Sequence, residues 1–220
     1  MIILVLMQGA LFYDRYVKSR QVVKSESTHP VPPNTFIDIR SLPTQGDAKA
    51  KFVMVEFSDY ECQFCSRHAN GVAKDVAKEF VATGKVRYVF ANNPLPIHKS
   101  AVMLATSAIC AGEQNRYWEM HESLFASSPD SKEKVFDLAK GLSLEMGQYK
   151  RCMEKTGETS GQIEKDKKLA RRLGLTGTPG FALGSVTADG MVHVQRIMTG
   201  AGPLYIFESA INQMIAKAEH

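Results

Sequence analysis

Between Phe52 and Ala91 the chain reads strand, helix, strand, and this unit limits the fold more than any other feature. Phe52-Val53-Met54-Val55-Glu56-Phe57 is a nearly continuous apolar run of strand length, the pattern of a strand covered on both faces. Helical sequence runs from about Gln63 to Thr83, with Gly84 as its C-cap. Val86 to Ala91 reads as a second buried strand. Strands joined through a helix in this way pair in parallel, by a right-handed crossover. The chain therefore belongs to the α/β class.

The rest of the sequence builds around that unit. From Ser100 to Leu173 the pattern is helical, with breaks near Gly112, Ser127 to Asp130, Gly141 and Gly157. Phe181-Ala182-Leu183 and Val192-His193-Val194 read as short strands around a turn at Asp189-Gly190, and Pro203 opens a last helix to about Ala218. The order is βαβ, a helical block at about 98–173, then ββα: one core with a helical insertion, over 51–220. Before it, 21–50 reads as linker and N-terminal extension, with Pro30, Pro32 and Pro33. In segment 1–20 an apolar run from Met1 to Tyr13 is followed by Asp14, Arg15, Lys18 and Arg20. It is shorter than a membrane span and has neither the leading charge nor the cleavage site of a secretory signal. The tail of a longer anchor, a short signal-anchor and a helix packed on the domain all remain open.

Cys62-Gln63-Phe64-Cys65 lies between the first strand and its helix. A thiol at a helix N-terminus faces unpaired backbone N–H groups and the positive end of the dipole, which favour its thiolate. The second cysteine, one turn on, can close a disulfide with the first. Cys62 is then the exposed, attacking sulfur and Cys65 the buried, resolving one, the two roles that thiol–disulfide exchange requires. A structural zinc site would need a second close pair of ligands, which Cys110 and Cys152 do not form, so no metal or other cofactor is expected. Four cysteines among 220 residues are also too few for a disulfide scaffold.

Glu56 lies mid-strand among apolar residues, where a lone carboxyl is costly to ionise, and could relay a proton to or from Cys65. Asp59 and Glu61, close before Cys62, should oppose the helix dipole and raise its thiol pKa. His68 falls one turn after Cys65 and reads as a solvated helix position. Gly177-Thr178-Pro179-Gly180 precedes a strand, where a turn with cis or trans proline would fit. The net charge of +4 can be supplied by the segment from Lys150 to Arg172, read as a solvated helix face with pairs such as Glu164–Lys168. No nucleic-acid motif accompanies it.

The segment from Val55 to Cys65 strongly resembles the active-site segment of DsbA-like thiol:disulfide oxidoreductases. The resemblance continues through Pro94-Leu95-Pro96-Ile97-His98, Cys110-Ala111, Tyr117-Trp118-Glu119-Met120-His121, Leu124-Phe125 and Gly174-Leu175-Thr176-Gly177-Thr178-Pro179, so it spans about Phe52 to Ala216. It implies a thioredoxin-like fold, with a central mixed sheet flanked by helices and an all-helical insertion. It also implies a cis peptide before Pro179, substrate binding by Thr178 and Pro179, and Glu56 as the buried acid beside catalytic Cys62 and Cys65. The active-site dipeptide Gln63-Phe64 departs from the proline many relatives carry after the first cysteine, and Gly180 from the more usual threonine. Neither change removes a reacting group, and both leave the reduction potential open.

The family works mostly outside the cytoplasm. The resemblance therefore implies a periplasmic or extracytoplasmic protein, anchored if its N-terminus is a membrane segment, acting on cysteine-containing protein substrates and served by a quinone-linked membrane oxidase or a membrane reductase. In that setting Cys110 and Cys152, set among apolar residues, are expected to form a structural disulfide, as in some DsbA-like relatives. Two buried free thiols are the alternative. The expected activity is disulfide formation in exported proteins. Reduction or isomerisation at the same site, and a peptide-binding or chaperone module without turnover, are the rivals.

Overall fold

The computed structural model describes residues 30–218. At its centre is β3 (Phe52–Ser58), in which every residue is buried. It pairs in parallel with β4 (Val86–Asn92), Val55 opposite Val89, and antiparallel with β5 (Gly180–Val186), Val55 opposite Ala182. Beyond β5 lies β6 (Val192–Thr199), and with β1 (Phe36–Ile37) and β2 (Thr44–Gln45) at the edges the full order is β1-β6-β5-β3-β4-β2. A strand flanked on both edges and covered on both faces has no wet side, which is why its sequence shows no alternation.

The segment before β3 contributes the two edge strands of the sheet. β1 (Phe36–Ile37) pairs with β6, and β2 (Thr44–Gln45) pairs with β4, while Ile37, Ile39 and Leu42 are buried. Each strand has two residues. That is too short to show period-2 alternation, so tertiary pairing alone defines them. The expectations for segment 1–20 lie outside the described residues. No helix among the described residues is long and apolar enough to cross a membrane.

The expected helix after the cysteines is broken. α1 (Gln63–Asn70) stops at Gly71, α2 (Val72–Val76) resumes, and a π-helical turn at Ala77–Val81 precedes Gly84 at φ +72°. Gly71, at φ −124° and ψ −101°, leaves the helical region and lets the chain bend over the sheet. The helical block comprises α3 (Ala101–Gly112), α4 (Tyr117–Ser127), α5 (Lys132–Gly141), α6 (Met146–Glu154) and α7 (Thr156–Arg172). Its last break falls at Lys155 rather than Gly157. Glu164 pairs with Lys167 at 2.6 Å, at i, i+3, rather than with Lys168.

β5 and β6 extend beyond the short runs legible in the sequence, because they are templated by β3 and tolerate an irregularity at Leu183/Gly184. A side chain at Gly184 would lie 2.1 Å from the His193 carbonyl oxygen, so glycine is what permits the close approach. α8 (Leu204–Ala218) closes the fold. Met54, Phe181, Val76 and Phe207 form the core on one face of the sheet, and Val55, Val89, Ala170 and Ala182 that on the other. A third core, around Leu104, Met120, Phe125 and Tyr149, fills the helical block and reaches Cys62 and Cys65. Inside it Cys110 and Cys152 form a disulfide between α3 and α6, with Cα atoms 5.6 Å apart.

Candidate active site

β3 ends at Ser58, and a short turn closed by the Cys62 amide on the Asp59 carbonyl (3.1 Å) delivers Cys62 as the N-cap of α1. Cys65 follows one turn into the helix and is wholly buried; both are free thiols. Cys62 keeps 5% of its surface, so it is more recessed than its expected exposed position. Packing of the turn against the helical block lowers it into a shallow mouth. Across the mouth lies the peptide Thr178–Pro179, which is cis, and Cys62 Sγ is 3.5 Å from the Thr178 carbonyl oxygen. Gly180 then enters β5 directly. A side chain there would strike Leu175 Cδ2 at 2.7 Å, which accounts for glycine in place of the family's more usual threonine.

The two sulfurs are driven apart chemically. The Cys62 thiol is lowered to about 5, chiefly by a hydrogen bond from Cys65, which burial opposes, and further by a side-chain hydrogen bond with Thr178 and by the Cys65 and Phe64 amides of the helix start. The Cys65 thiol is pushed far up by burial, by its hydrogen bond to Cys62, and by the nearby charge of Glu56. One sulfur is a thiolate near neutral pH and the other holds its proton.

The Cys62 thiol is lowered overall with two acidic residues just before it. Asp59 is buried and its carboxylate is spent elsewhere: Oδ2 accepts from the Leu95 amide at 2.7 Å and contacts His98 Nδ1 at 2.7 Å, while Oδ1 accepts from the Glu61 amide at 2.8 Å. Glu61 Oε2 accepts from the Ser100 amide at 2.7 Å. These bonds lace the loop from Leu95 to Ser100 to the turn before Cys62. Burial opposes protonation of His98, but Asp59 outweighs it and raises the imidazole above 6.5. His98 and Asp59 went unassigned as a pair in the sequence, where 39 positions separate them.

His68 corrects a second expectation. It is not solvated but buried, its ring 4.9 Å from Phe181 and 5.1 Å from Phe207. It lies three residues after wholly buried Cys65, on the same inward face of α1, where Nε2 lies 3.4 Å from Glu56 Oε2. Burial depresses its pKa, partly offset by the charge of Glu56. Glu56 itself is wholly buried and receives a hydrogen bond from the Tyr88 hydroxyl. Of the dipeptide, Phe64 is 57% exposed beneath Arg67, whose guanidinium lies 4.9 Å from its ring, and Gln63 is exposed. No cluster of metal-ligating side chains occurs among the described residues.

A dithiol at a helix start, facing a cis-proline on a mixed sheet, defines the class of thioredoxin-fold dithiol proteins. The thioredoxin family model matches residues 41–198. The chain belongs to that family, and its fold with a helical insertion is similar to that of DsbA proteins. Among curated proteins it is 28% identical over 151 residues to disulfide bond formation protein D of Bacillus subtilis, covering 64% of this chain and 67% of that protein. It is 27% identical over 169 residues to Na(+)/H(+) antiporter NhaA 3 of Salinispora tropica, covering 76% of this chain. The chain spans 25% of that antiporter's length. Among solved structures, alpha-DsbA1 from Wolbachia pipientis superposes with TM-score 0.69 at 24% identity, covering 83% of this chain and 94% of that one.

Proposed function

We propose that this chain forms disulfides in cysteine-containing proteins outside the cytoplasm. The observation that carries the reading is the opposed state of the two sulfurs, Cys62 lowered to about 5 and Cys65 pushed up. A substrate thiolate attacks Cys62 Sγ of the Cys62–Cys65 disulfide. The S–S bond breaks, its electron pair passes to Cys65 Sγ, and that buried sulfur takes a proton managed by Glu56. A second substrate thiolate attacks the substrate sulfur of the mixed disulfide and expels Cys62 as a stable thiolate. The substrate loses two electrons and the pair gains them. A low leaving-group pKa speeds this last step and stabilises the reduced pair, which favours the oxidising direction.

Thr178 and Pro179 hold the substrate strand beside Cys62 in this reading, with exposed Phe64 as an apolar contact. The Cys110–Cys152 disulfide supports an oxidising compartment. Reoxidation then falls to a membrane partner, quinone-linked for an oxidase. Equilibrating the protein with reduced and oxidised glutathione tests the direction. A Cys62–Cys65 potential near the roughly −120 mV of a strong oxidant is expected, and one near the roughly −270 mV of thioredoxin makes the chain a reductase instead. Cys62→Ser should abolish turnover of a reduced protein substrate; full function in that variant would leave only a peptide-binding role.

A further inference from the structure

Two side chains converge on Glu56 without a part in the exchange written above. Tyr88, on β4, donates its hydroxyl to Glu56 Oε2. His68, on α1, sets Nε2 3.4 Å from the same oxygen, inside a cage of Phe181 and Phe207. Glu56 Oε1 is buried with no hydrogen-bond partner, and neither ring nitrogen of His68 has one. Polar atoms so placed are costly to a fold. Three of them around one carboxyl, next to a buried reacting thiol, mark a group held ready rather than a finished structural bond.

We propose that Tyr88 and His68 are positioning residues, Tyr88 through its hydrogen bond to Glu56 Oε2 and His68 through its packing beside that oxygen, and that Oε1 is left to exchange a proton with Cys65. This deepens the reading of Glu56 given above and rests on it. When the disulfide opens, the Cys65 thiolate takes the proton of the Glu56 carboxyl. The carboxylate left behind is held by the Tyr88 hydroxyl. Reoxidation runs the same transfers backwards. Tyr88 also lines a cleft of about 430 Å³ between the α1–α2 segment and α4, with Trp118, His121 and Phe125. The cleft brings solvent to Tyr88, while Cys65 is wholly buried.

The titratable groups that feel the charge of Glu56 are Cys65 and His68 on α1, Tyr88 on β4, Tyr60 in the turn before Cys62 and Tyr117 on α4. β5 and α8 meet His68 with the rings of Phe181 and Phe207.

The test follows the glutathione equilibrium of the Cys62–Cys65 pair across pH for the wild type, Glu56→Gln, Tyr88→Phe and His68→Gln. Tyr88→Phe removes one hydroxyl and keeps the ring; His68→Gln keeps a polar group of similar reach. Both should displace the pH profile in the direction Glu56→Gln does, with up to roughly a tenfold change in the equilibrium constant for Tyr88→Phe, the scale of one hydrogen bond to a charged group. A structural role alone would lower the melting temperature and leave the profile in place. If Glu56→Gln moves the profile and the other two overlay the wild type, the positioning roles are wrong. If Glu56→Gln also overlays it, the proton role of Glu56 fails and this inference with it.

Discussion

Lowering the pH should strip the reduced protein of its advantage over the oxidised one, and the structure sets how much. Cys62 moves from 9.0 to about 5 on folding. At pH 7 it lies about two units above its folded value and two below its unfolded value, so the folded state holds the thiolate and the unfolded state the thiol. Two units correspond to about 2.7 kcal/mol, an upper bound that solvent screening reduces to between about 1 and 2 kcal/mol. Because the folded value is depressed, this stabilisation is full above pH 9 and is lost as the pH falls through about 5. The oxidised protein has no thiolate and lacks it. Ultraviolet thiolate absorbance of the reduced protein should show a midpoint near pH 5. Denaturant unfolding of both redox forms should show the stability gap between them shrinking from pH 7 to pH 4. A midpoint above about pH 8, with a gap independent of pH, would refute the argument that the helix start, Cys65 and Thr178 hold a thiolate at Cys62.

The Cys110–Cys152 bond closes a loop with a sequence separation of 42, for which chain entropy gives about 4 kcal/mol. A Cys110→Ala/Cys152→Ala variant should lose stability on that order in denaturant melts while keeping its Cys62–Cys65 potential; an unchanged midpoint would contradict it. Asp166 is buried beside Asn92 and raised to about 6, mainly by burial. Raised above its unfolded value, it favours folding below about pH 4 and loses that contribution as the pH rises through about 6. Asp166→Asn should flatten the fall in stability across this window by up to about 3 kcal/mol. By NMR, His98 should titrate above 6.5, and Asp59→Asn should bring it down because the 2.7 Å contact loses its charge. A titration unmoved by that substitution would assign the shift to another group.

Much of the site is local in sequence. The apolar run Phe52–Phe57 specifies a central strand, and a C-x-x-C at the start of the next helix brings its two sulfurs within one turn of each other wherever the helix is placed. The same locality explains the failures. His68 reads as solvated because the rings that cover it, Phe181 and Phe207, come from segments more than a hundred positions on. The engagement of the Asp59 carboxylate is likewise illegible, because its partners Leu95 and His98 lie 36 and 39 positions on.

The sequence by itself determined the α/β order, the helical insertion and the redox pair, because periodicity and short spacing act within a turn or a strand. Tertiary structure decided the edge strands, the burial of Cys62, the 3.5 Å approach of Thr178 and the convergence of Tyr88 and His68 on Glu56. Those contacts join segments up to 116 positions apart. Dielectric, hydrogen bonding and charge at a sulfur depend on neighbours in space, and only the packed chain assembles them.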